Sequence, residues 1–98
     1  MIKTHRNFLL QGTNHYHAHI HINPIGELDI DIIESEQHHS AEFDDLTFKC
    51  SGAMTTLVGV DPKVNKQWHL SLDNRDAEEL NVLITQATEE FEVLMKDL

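Results

Sequence analysis

One cysteine, Cys50, stands alone in this chain. No internal disulfide framework can form, and a reducing cytoplasm is the simplest setting. Glycines number four and prolines two, while apolar residues make up 40%; that balance excludes a disordered chain. No apolar run approaches the ~20 residues that a membrane span needs. Near the basic start the apolar patch is only Phe8-Leu9-Leu10, too short for a signal peptide. Gly-x-Ser-x-Gly, Walker and Cys-x-x-Cys patterns are absent, which removes the common nucleophile, phosphate-cradling and redox motifs. Internal repeats and linkers are missing too. The 98 residues therefore predict one domain, residues 1–98, with a single modest core.

Acids are absent from one region and crowded in two others. Met1 to Gly26 holds no Asp or Glu, whereas Glu27 to Asp45 holds eight acids and no Lys or Arg. Asp73 to Leu98 holds eight more against Arg75 and Lys96, and the net charge is −10 with histidines neutral. Such a balance repels phosphate backbones and excludes direct nucleic-acid binding as an expectation. It favours a basic protein partner, such as the surface of a nuclease. Glu34, Glu36, Asp44, Asp45, Glu89, Glu90 and Glu92 are the candidate partner-binding residues. Protonating all eight histidines would raise the charge from −10 to −2, so surface charge depends on pH near the ordinary His pKa of about 6.5.

The most ordered pattern is Asn14–Ile33, NHYHAHIHINPIGELDIDII. His15, His17, His19 and His21 alternate with Tyr16, Ala18, Ile20 and Ile22. Leu28, Ile30 and Ile32 alternate with Asp29 and Asp31. A strand sends successive side chains to opposite faces, so this reads as a hairpin with one apolar and one ionisable face. Asn23-Pro24-Ile25-Gly26-Glu27 carries the turn chemistry. Matching apolar to apolar fixes a register: Ile22 beside Leu28, Ile20 beside Ile30, Ala18 beside Ile32. That register sets His21 beside Asp29 and His19 beside Asp31.

Further strands are expected from the alternation of Leu46, Phe48 and Cys50, from Met54–Val60, and from Trp68, Leu70 and Leu72. By parity Cys50 points into the core, as an inert thiol. Ile2–Gln11 predicts a short strand or an irregular arm, and Glu34–Ser40 an exposed loop. From Asp73-Asn74 onward Ala77, Leu80, Ile84, Ala87, Phe91, Leu94 and Leu98 recur at three- and four-residue steps, an amphipathic helix with Leu80, Ile84, Phe91 and Leu94 in the core. The expected fold is α+β: an antiparallel meander of four to five strands, with one long C-terminal helix across its apolar face.

Three functional classes follow. The first is a small acidic, non-catalytic binding module that occludes a basic partner, in the manner of inhibitors, immunity proteins, antitoxins and phage anti-defence proteins. The second is a metal-binding protein. Imidazoles two apart on a strand lie roughly 6–7 Å apart at a ~3.3 Å rise, and His17, His19 and His21 with Asp29 and Asp31 could hold zinc or another divalent transition metal. His69 has the parity to join them if its strand is a neighbour. The third is a self-associating subunit, a homodimer included, built on the helix stripe or a sheet edge. His17-Ala18-His19-Ile20-His21-Ile22 also resembles the histidine-triad signature of nucleotide hydrolases and transferases. The likeness covers six residues, and Asn23 stands where that pattern has a further apolar residue. It would imply a nucleophilic role for His19.

Overall fold

The computed structural model describes residues 4–12 and 14–96, with side chains through Val93. Its chain runs β1 (Thr4–Leu9), β2 (His17–Asn23), β3 (Glu27–Ile32), β4 (Gln37–Glu42), a 3-10 turn (Phe43–Asp45), β5 (Thr47–Ser51), β6 (Met54–Asp61), β7 (Lys66–Asp73) and α1 (Asn74–Lys96). Strands β1–β4 form one antiparallel meander and β5–β7 a second. The α+β class holds; in place of a single meander of four to five strands, the described residues form seven strands in two sheets.

The hairpin register is the one that apolar pairing demands: Ile22↔Leu28, Ile20↔Ile30, Ala18↔Ile32, with His21↔Asp29 and His19↔Asp31. Ala18, Ile20, Ile22, Leu28, Ile30 and Ile32 are buried. The turn closes with the Gly26 amide donating to the Asn23 carbonyl at 3.0 Å. Asn23 Oδ1 accepts from the Ile25 amide at 3.1 Å. Gly26 has φ +112°, a backbone conformation that favours glycine.

Several expectations need correction here. The hairpin begins at His17 rather than Asn14; His15 has φ +46° and lies outside the strand, so the row on β2 has three histidines. Residues 37–40, expected as loop, belong to β4. Its inward positions are held by His39 and Ala41, opposite Ile30 and Leu28. His39 is stacked on Trp68, ring centroids 5.5 Å apart. A histidine doing the work of an apolar residue hides the strand's period. Cys50 does share parity with Phe48, yet it is exposed. It sits on the edge strand β5, opposite Thr55, in an open groove that it lines with Asn74, Ala77, Glu78 and Asn81 of the C-terminal helix.

Buried apolar side chains from β1–β4, β6, β7 and α1 form one cluster. The helix supplies Ala77, Leu80, Ile84 and Ala87. The Arg75 amide donates to Asp73 Oδ1 at 2.9 Å, capping its start. Phe91 is half-buried rather than core, and the Leu94 and Leu98 side chains lie outside the described residues. Trp68 links the two sheets: buried on β7, it donates its indole N–H to the Ser40 carbonyl on β4 at 2.9 Å. Gly59 is its cross-strand partner, and any Cβ there would overlap the indole ring.

Candidate functional site

With the apolar residues of β1–β4 turned inward, the ionisable residues of these strands other than Arg6 and His39 are presented on the opposite face. β1 is antiparallel to β2 with His5 opposite His21 and Asn7 opposite His19. Directly opposite residues share a face, so His5 joins His19 and His21. Ring centroids are 4.3 Å apart for His5–His21, 4.5 Å for His19–His21 and 5.6 Å for His5–His19. One potential ligand atom from each lies within 4.8 Å of the others. Asn7 Oδ1 is hydrogen-bonded to His19 Nδ1. His5 is exposed, and His19 and His21 half-buried.

The remaining sequence-expected ligands go elsewhere. His17 is held at the far end of β2 by Glu34, whose two carboxylate oxygens meet its Nδ1 and its backbone amide. Hydrogen bonds from His17, first from the ring and then from the amide, hold the Glu34 carboxyl below its ordinary pKa. Asp29 and Asp31 turn toward β4 and His38. His38 Nδ1 lies 2.7 Å from Asp31 Oδ1, and its Nε2 3.6 Å from Asp29 Oδ1. His21 Nε2 lies 3.9 Å from Asp31 Oδ2, so Asp31 stands between the imidazole trio and the His38 group. His21, Asn23, Asp29, Asp31 and His38 line a shallow cavity of about 320 Å³. His69 lies on β7 of the second sheet and is not a neighbour of the row.

Burial lowers the His21 pKa, and the neighbouring His19 and His5 lower it further; Asp31 and Asp29 oppose this. Neutral imidazole is the form with a free lone pair on one ring nitrogen. His5 and His38 escaped the sequence reading. The signal for His5 was the alternation of His5, Asn7 and Leu9 with the inward-facing Phe8, masked because Arg6 occupies an apolar-side position. Arg6 is accommodated there by reaching the helix, where its Nε lies 3.8 Å from Glu79 Oε1.

A second feature lies at the turn end of the hairpin. Pro24, Ile25, Gly26, Phe43, Thr88 and Phe91, with Glu27, Glu42 and Asp44, line a groove of about 440 Å³ between the β2–β3 turn, the 3-10 turn and α1. Among the described residues its lining includes three carboxylates and no Lys or Arg. Glu27 and Glu42 are direct cross-strand partners. Among the sequence-expected partner residues, Asp44 lines this groove. Asp45, Glu89, Glu90 and Glu92 are exposed, Glu36 is exposed on the β3–β4 turn with φ +54°, and Glu34 is engaged by His17.

No protein-family model matches the chain, and no curated protein or solved structure matches it. Among the described residues, no helix is long and apolar enough to cross a membrane.

Proposed function

We propose that this chain is a small acidic binding module without catalytic activity. It acts in a reducing cytoplasm by occluding a basic protein partner, as inhibitors, immunity proteins and phage anti-defence proteins do. One observation carries the reading: the acid-lined groove at the end of the hairpin. Like charges directly opposite on neighbouring strands destabilise a sheet, and Glu27 faces Glu42 in that arrangement with no salt bridge to either among the described residues. A lysine or arginine from a partner, seated among Pro24, Ile25, Phe43 and Phe91, relieves the repulsion and covers apolar surface together. Arginine suits such a place, since its planar head packs on rings and bridges carboxylates. Self-association through the helix stripe is the weaker reading, because Ala77, Leu80, Ile84 and Ala87 are already buried in the core.

The test begins with the partner captured from the native host and purified. Association should slow steeply with added salt, because steering charges are screened. Paired Glu27→Gln and Glu42→Gln should weaken the complex and at the same time raise the melting temperature of the free protein. Neutralising Glu89, Glu90 and Glu92 should reduce the association rate more than the lifetime of the complex. A partner indifferent to salt and to the groove pair would remove this reading.

A further inference from the structure

We propose that His5, His19 and His21 form a site for a single divalent transition-metal ion of the zinc type, with a fourth position open to solvent or an exogenous ligand. The site is separate from the acidic groove and needs no protein partner.

Three imidazoles on two adjacent strands share a face and have potential ligand atoms within 4.8 Å of one another. A tetrahedral ion with nitrogens at about 2.0–2.1 Å holds them ~3.4 Å apart. Side-chain rotations on an open face close that difference without moving the backbone. An all-nitrogen set selects zinc, nickel or copper over magnesium and calcium, which prefer oxygen.

The surroundings support the same conclusion. Asn7 Oδ1 accepts from His19 Nδ1–H and leaves Nε2 with the lone pair for a metal. A fixed tautomer is the arrangement by which outer groups orient metal-binding histidines. Asp31, 3.9 Å from His21, supplies negative charge beside a site that would gain two positive charges. Three protein ligands on a solvent-facing sheet leave the ion incompletely coordinated, as in sites that exchange or activate a fourth ligand.

The site also differs from the histidine row that the sequence displays. A row-based site would use His17, His19 and His21. The structure replaces His17, which is committed to Glu34, with His5 from the neighbouring strand. That substitution makes the proposal sharp.

The experiment is calorimetric titration of untagged protein with zinc chloride near neutral pH. Cobalt(II) is used in parallel, because its visible spectrum reports tetrahedral nitrogen coordination. One ion per chain is expected. His5→Ala, His19→Ala and His21→Ala should each weaken binding by at least about tenfold, while His17→Ala and His69→Ala leave it unchanged. Because His5 and His17 are both exposed, circular dichroism should show every parent-like fold retained in these two variants. Zinc should raise the melting temperature of the parent and of His17→Ala but not of His5→Ala. Binding that survives His5→Ala overturns the proposal, and so does binding that is lost in His17→Ala. Half an ion per chain would place the metal between two copies and overturn it as well. Absence of saturable binding by ~1 mM zinc, a Kd corresponding to about −4 kcal/mol, would end it.

Discussion

The two sheets are built on the same plan and finished differently. In each, alternate residues turn inward to one core: Ala18, Ile20, Ile22, Leu28 and Ile30 from the first, Leu57, Trp68, Leu70 and Leu72 from the second. The outward positions are unconstrained by that core. On the second sheet they hold Lys49, Thr56, Val58, Gln67, His69 and Ser71, residues that suit a pleated, half-wet surface. On the first they hold His5, His19, His21, Asp29, Asp31 and His38. The second sheet thus shows what this fold requires of an outer face, which is little. Imidazoles crowded on imidazoles, with burial and two neighbouring histidines lowering the His21 pKa, exceed that requirement. The fold does not require them, and the proposed metal site would account for them.

That comparison treats both sheets as parts of one cooperative unit, so the largest prediction tests their union. Trp68→Ala removes a buried indole and its bond to Ser40. Its cost should be about 3–5 kcal/mol, read from denaturant unfolding by far-UV circular dichroism. If the first sheet instead melts separately, with its hairpin signals retained after the second is lost, the sheets are independent and the comparison fails. Gly59→Ala acts at the same junction by overlap with the indole ring, and should cost about 1–3 kcal/mol through overpacking.

The sequence reveals the first sheet's inner face well because apolar partners fix its register. The pairing Ile22↔Leu28 through Ala18↔Ile32, and with it the placement of His19 and His21, follows from parity alone. Parity is silent about which other strands lie alongside. Nothing local in Thr4–Leu9 says that His5 pairs with His21, nor in His38-His39 that one faces carboxylates and the other an indole. Those are non-local facts, set by meander order. Cys50 shows the complementary limit: its parity was inward, but burial depends on what covers an edge strand. Phe91 shows it again, since a helix stripe can outrun the sheet beneath it.

Acidification gives a smaller effect with a definite sign. His21 and His39 both have lowered pKa values, in each case first through burial and then through neighbouring histidines. Around His21 stand His5, His19, Asp29 and Asp31; around His39 stand His38 and Asp61. A depressed folded pKa means that the unfolded chain binds more protons in the window below the ordinary value of 6.5. Stability is therefore lost as pH falls from there through the folded values. Relief of the net negative charge works the other way, so the informative quantity is a difference between variants. With a chelator present, the fall in melting temperature from about pH 7.5 to about pH 5.5 should be smaller in His21→Thr and in His39→Gln than in the parent. Equal falls in all three proteins would show that these imidazoles titrate alike in both states.

The smallest expected effect on stability bears most directly on the comparison. Replacing His19, His21, Asp29 and Asp31 together by threonine gives the first sheet the outer chemistry of the second. Every inward residue and every register pair is left in place. Threonine fits a pleated surface, and the ion pairs lost, His21–Asp31 and those of His38 with Asp29 and Asp31, join partly exposed groups, where such pairs contribute about 0–1 kcal/mol. The summed change should stay within about 0.5 kcal/mol per site, measured by urea unfolding in the absence of metal. Zinc binding in the same variant should be abolished. A protein that keeps its fold and loses its metal separates the two faces of one sheet, the inner serving the structure and the outer the ligand. A protein that unfolds instead would show the ionisable face to be part of the fold, and the contrast with the second sheet would carry no functional meaning.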